Sequence, residues 1–152
     1  MNRSKQFKPV VEHAYHLEQE AAKALGEANQ RVAAAEAQLA QLQRYRQEYL
    51  DGYQALGAQG GVEPGRLRDY QAFLAKLNAA LTQQSEAIDS ARRQREEVKQ
   101  FWLAKRGRSK ALDSVLKRYI EEEHYVESRK EQREMDDRSY GHTESLKTSN
   151  KS

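Results

Sequence analysis

A chain of 152 residues is expected to form one domain, and 38% hydrophobic against 32% charged residues leaves too little apolar material for a large globular core. Mean hydropathy is −1.04 and no apolar run approaches the ~20 residues that would span a bilayer, and a net charge of only +3 with both signs interspersed argues against a nucleic-acid partner. Zero cysteines exclude a disulfide framework and thiolate metal sites; without a signal-peptide apolar segment, a cytoplasmic protein is expected.

Such a composition would also suit a disordered chain, but the apolar residues are periodic. Val10, Ala14, Leu17 and Ala21 open a repeat that Leu25, Ala28, Val32, Ala35, Leu39, Leu42, Arg46, Tyr49, Tyr53 and Leu56 continue in alternating steps of three and four. Such spacing keeps one stripe on a helix that pairs and supercoils with another. The step from Leu17 to Ala21 to Leu25 is four plus four, a stutter that should locally unwind the supercoil. Helix one is expected over about 8–56, with Pro9 tolerated in its first turn.

Gly57, Gly60, Gly61, Pro64 and Gly65 make the one glycine-dense stretch, which predicts a loop over 57–65. Helix two should then run over about 66–137. Its repeat passes through Leu67, Tyr70, Leu74, Leu77, Leu81, Gln84, Ile88, Ala91, Arg95, Val98, Trp102, Lys105, Ser109, Leu112, Leu116, Tyr119, Glu123 and Val126, and on to Asp137. Gly107 is a weak point, costing ~1 kcal/mol against alanine. The stretch 138–152 has no period and is expected to be a disordered tail.

The predicted fold is all-α, a long antiparallel two-helix coiled-coil hairpin. At ~1.5 Å per residue its arms would be ~70 and ~105 Å long. Pairing about the loop leaves helix two overhanging from about Ser114, yet Leu116, Tyr119, Ile120, Tyr125 and Val126 lie beyond that point. A docking arm that another protein completes is the functional reading, and a frayed end or a homodimer seam is the alternative. Phe73, Leu77, Ala80 and Gln84 step by four, three and four, so they share one helix face at the margin of the seam. Lys105, Arg106, Arg108, Lys110, Lys117 and Arg118 face a single acid, Asp113. His13 and His16 lack a convergent third metal ligand, the glycine loop lacks a phosphate-cradle ending, and two helices offer no enclosed pocket. No metal, cofactor or catalytic residue is therefore assigned, and the chain is not read as an enzyme.

Several short patterns, in order, resemble one family. They are Glu18-x-x-Ala21-Ala22-x-x-Leu25, Leu39-x-x-Leu42-x-x-Tyr45-Arg46-x-Glu48-Tyr49, and Tyr70-x-x-Phe73-Leu74-x-x-Leu77 running on to Gln83-Gln84. Trp102 before a basic stretch and Ala111-Leu112, then Glu131-Gln132-x-x-x-Asp136-Asp137, complete them. Over residues 7–137 the chain is similar to FliJ, the coiled-coil protein of the flagellar type III export apparatus. The resemblance implies association with the export ATPase FliI, promoting its ring assembly and activity in the manner of a rotary ATPase stalk. It also implies contact with the export gate FlhA and with export chaperones, and peripheral membrane association through the apparatus only. By the resemblance, the gate contact falls on Phe73, Leu77, Ala80 and Gln84. The ATPase contact falls on the paired helix ends, here Lys105, Arg106, Arg108, Leu116, Tyr119, Ile120 and Val126. The stalk of a related virulence secretion system, or a structural homodimeric coiled coil, are the alternative readings.

Overall fold

The computed structural model describes residues 2–149, with side chains described for 2–142. Two helices account for nearly all of it: α1 (Arg3–Ala58) and α2 (Pro64–Ser149). No strand occurs among the described residues.

α1 starts five residues before the expected Lys8. Asn2 serves as the cap, and its carbonyl accepts the Gln6 N–H at 3.2 Å. Pro9 therefore lies inside the helix, where it removes one backbone hydrogen bond and crowds the carbonyl four residues back. The helix continues because its first turns are held from outside, as described below.

The turn is shorter than expected, at Gln59–Glu63 rather than 57–65. Gly57 and Gly65 are helical, since a lone glycine weakens a helix without ending it. The reversal belongs to Gly60 (φ 126°) and Gly61 (φ 99°), conformations that a Cβ disfavours. Pro64 is the first residue of α2, where its missing N–H costs nothing. The Glu63 carbonyl accepts the Leu67 N–H at 3.0 Å.

Contacts gather into two compact units. In the unit Gln19–Ala104, Ala21, Ala28, Val32, Leu77 and Ile88 are buried. Ala28 is only 1% exposed, so the partner helix approaches closely at this alanine. Half-buried Leu25, Leu39, Leu42, Leu74, Leu81 and Val98 extend the seam. The pairing is antiparallel: Gln84 Nε2 donates to the Ala35 carbonyl (2.9 Å), and Arg46 Nε to Asn78 Oδ1 (2.8 Å). Arg92 and Glu36 meet at 2.9 Å, an exposed pair of the kind that adds ~0–1 kcal/mol.

The other unit combines α1 up to Glu18 with α2 from Lys105. Ala14 and Ser109 are buried, and Ser4, Phe7, Val11, Leu112, Val115, Leu116 and Tyr119 are half-buried. Val10 points outward and Val11 takes the seam position. Leu17 and Glu18 are both half-buried, so the seam widens over both positions ahead of Ala21.

Because α1 begins early, intramolecular pairing extends to Glu123 and not only to Ser114. From His124 to His142 every residue is exposed. α2 passes uninterrupted through Gly107, and its helix extends to Ser149, beyond the expected boundary at Asp137. From His124 to His142 no face of the helix is packed, and a helix without a packed face is marginal. The final part of the expected tail, 150–152, lies outside the described residues.

Candidate partner-docking surfaces

In the unit Gln19–Ala104, tyrosines at positions 45, 49 and 53 recur every four residues, which places them on one face of α1. They meet Tyr70 and Phe73 of α2. The Tyr70 ring stacks on Tyr53 at 3.7 Å and on Tyr49 at 4.7 Å. Phe73 packs on Tyr49 at 4.5 Å and edge-on to Tyr45 at 6.2 Å. The Tyr70 hydroxyl is buried without a hydrogen-bond partner. Burial pushes its pKa up, and the neighbouring Tyr49 and Tyr53 phenols add to the effect. A groove of about 460 Å³ opens beside this cluster, between Tyr53, Leu56, Val62 and Arg66.

The line expected to meet the export gate runs from this cluster along the seam. Leu77 is 7% exposed, and Gln84 is committed to the Ala35 carbonyl. Phe73 and Ala80 are half-buried and form the accessible edge of the line. Tyr45, part of the same aromatic edge, was not singled out as a site residue, although its four-residue spacing from Tyr49 and Tyr53 was readable.

The second unit holds the residues expected to meet the ATPase. Lys105 and Arg106 are half-buried and Arg108 is exposed. Leu116 and Tyr119, expected on an unpaired overhang, are half-buried instead. Tyr119 receives the Phe7 ring edge-on at 5.4 Å, and the Arg3 guanidinium lies over it at 5.7 Å. Ile120 is at the exposed margin, whereas Val126 and Tyr125 are 65% and 64% exposed. The Arg129 guanidinium lies 5.9 Å from the Tyr125 ring. Lys117 and Asp113 form an exposed i,i+4 pair at 3.2 Å.

One contact here was not foreseen. Glu123 Oε2 accepts the Ser4 hydroxyl at 2.5 Å, and Oε1 accepts the Ser4 backbone N–H at 3.0 Å. The first turn of α1 has no acid of its own, although a helix N-terminus favours negative charge and presents unpaired N–H groups. Glu123 supplies both needs from α2. The Ser4 hydroxyl, then the Ser4 amide, hold the Glu123 carboxyl below the usual carboxylate range. No cluster of three or more potential metal ligands occurs among the described residues.

The family model for the Flagellar FliJ protein matches residues 3–142. The chain belongs to the FliJ family. The match covers α1 and α2 as far as His142, including the whole exposed stretch 124–142. No curated protein and no solved structure matches the chain. Membership makes it a component of the flagellar type III export apparatus, in a family of non-enzymatic export components. No helix among the described residues is long and apolar enough to cross a membrane.

Proposed function

We propose that the chain is the stalk-like partner of the export ATPase FliI, promoting its ring assembly and activity, and that it also contacts the gate FlhA and export chaperones. The observation that carries this reading is the stretch from His124 to His142, exposed on all sides while holding Tyr125, Val126, Met135 and Tyr140. An isolated helix of this kind is marginal in water, and burying such side chains against a partner is favourable by ~1.5–3 kcal/mol each when complete. Ile120 at the edge of the paired region extends the same surface, with Leu116 and Tyr119 behind it. Lys105, Arg106 and Arg108 add positive charge in the same unit, suited to acidic groups on a partner.

The gate contact is placed at the accessible edge formed by Phe73 and Ala80, with Leu77 and Gln84 supporting it from the seam. Association with the membrane is then peripheral, through the apparatus.

The test is binding of FliI to the wild-type chain and to Val126→Asp. Val126 is exposed, so the variant should keep its helicity while binding more weakly. Unchanged binding would remove the exposed stretch from the interface. Phe73→Ala, assayed for FlhA binding with helicity monitored, tests the gate contact separately.

A further inference from the structure

The first six residues of α1 differ from the rest of the helix in how they are held. Behind them stands Pro9, which deletes the backbone hydrogen bond that would tie residue 9 to the Lys5 carbonyl. Around them, the first turn brings Arg3 and Lys5 and no acid, a charge pattern that a helix N-terminus disfavours. What holds the segment is a set of side-chain contacts to α2 within one unit. Ser4 gives both its hydroxyl and its amide to Glu123. Phe7 packs on Tyr119, and the Arg3 guanidinium lies over the same ring. By contrast, the helix after Pro9 is anchored by buried Ala14, Ala21, Ala28 and Val32.

The residues under this segment are themselves of docking type. Tyr119 and Glu123 belong to the α2 repeat that continues into exposed Val126, and Ile120 borders them. An open groove of about 720 Å³ already lies along this edge, between Arg3, Ser4, Ile120 and Val126. Lifting residues 3–8 would join Tyr119 to the exposed surface without disturbing the alanine-packed part of the seam.

We propose that residues 3–8 form a clasp hinged at Pro9, which caps itself on Glu123 and covers Tyr119 until a partner of α2 displaces it. The clasp is a property of this chain alone; its displacement rests on the reading that the ATPase docks on α2.

Two measurements decide it. Hydrogen exchange should show the amides of Ser4, Phe7 and Lys8 opening at least about tenfold more often than those of Ala28 to Val32, as a separately opening unit would. Glu123→Ala should speed exchange at Ser4, Phe7 and Lys8 and leave Ala28 to Val32 unchanged, and Pro9→Ala should slow it. Equal protection in both stretches, or a uniform response to Glu123→Ala, overturns the clasp. The second measurement uses the absence of cysteine: Ser4→Cys with Glu123→Cys, joined by a short thiol-bridging reagent, locks the segment down. The locked form should stimulate FliI several-fold less than the same variant left unjoined. Equal stimulation by the two forms overturns the covering role while the docking reading stands. If wild-type chain gives no stimulation, the docking reading falls, and the clasp is still decided by the exchange at Ser4, Phe7 and Lys8.

Discussion

Leu77→Ala separates a seam residue from a docking residue. Leu77 is 7% exposed and lies on α2 between half-buried Leu74 and Leu81. Truncating a buried leucine in a globular core costs ~2–5 kcal/mol, with the spread set by how far the site collapses. Here the neighbours are half-buried and the structure is two helices thick, so the site can close and the lower end applies, about 2 kcal/mol. That is roughly a 30-fold shift in the folding equilibrium. Urea unfolding followed by circular dichroism should show a lower midpoint with an unchanged slope. A loss below about 0.5 kcal/mol would refute the placement of Leu77 in the seam, because surface substitutions stay in that range. A gate-binding defect in Leu77→Ala therefore requires a matched stability control, and so does one in Phe73→Ala, because Phe73 packs on Tyr49 of the other helix.

The two kinds of glycine should respond oppositely. Gly107 is helical with nothing within 4 Å of an added Cβ, so Gly107→Ala should stabilise by ~0.5–1 kcal/mol in thermal unfolding. Gly60→Ala should destabilise by ~1 kcal/mol or more, because its φ of 126° strains any Cβ. Glu123 has a lowered folded-state pKa through Ser4, with His124 adding a smaller effect. Its contribution is therefore complete above the ordinary glutamate pKa, near 4.3, and lost as pH falls through the lower folded value. The Ser4 amide resonance should hold its bonded shift at pH 5 and lose it only below that ordinary value; a midpoint above it would be inconsistent with the contact. Tyr70 has a raised pKa, so the folded state keeps its proton longer and stability falls as pH rises past the usual tyrosine range. Ultraviolet titration should resolve one late phenol that Tyr70→Phe removes, whereas eight tyrosines ionising together would count against the buried hydroxyl.

Much of the hairpin was legible because the repeat is strict. Every expected seam position from Tyr70 to Glu123 is at least half-buried, including the polar Gln84, Arg95, Lys105 and Ser109. The rest failed where a local rule met a distant residue. Pro9 signalled a helix start, but the start is decided by Asn2 and by Glu123, more than a hundred positions away. Val10 fits the apolar pattern, but its neighbour Val11 is the one that packs, and only the packing shows which of the two faces α2. Glycine content overstated the turn, because backbone torsion and not composition separates Gly60 and Gly61 from Gly57 and Gly65. The docking residues came from the resemblance, since a seam and a partner face share one periodicity. Burial now separates Leu77, held within the seam, from Ile120 and Val126 at or beyond its edge, and a hydrogen bond to the Ala35 carbonyl commits half-buried Gln84 to the seam, whereas half-buried Phe73 and Ala80 flank it.

The most direct test of the account is ATP hydrolysis by purified FliI, with ring assembly followed by light scattering, in the presence of the wild-type chain or of one in which the order of residues 124–142 is scrambled. Wild type should raise both signals, and the scrambled chain, still helical through its paired region, should raise neither. Equal stimulation by the two chains would contradict the claim that the exposed part of α2 engages the ATPase.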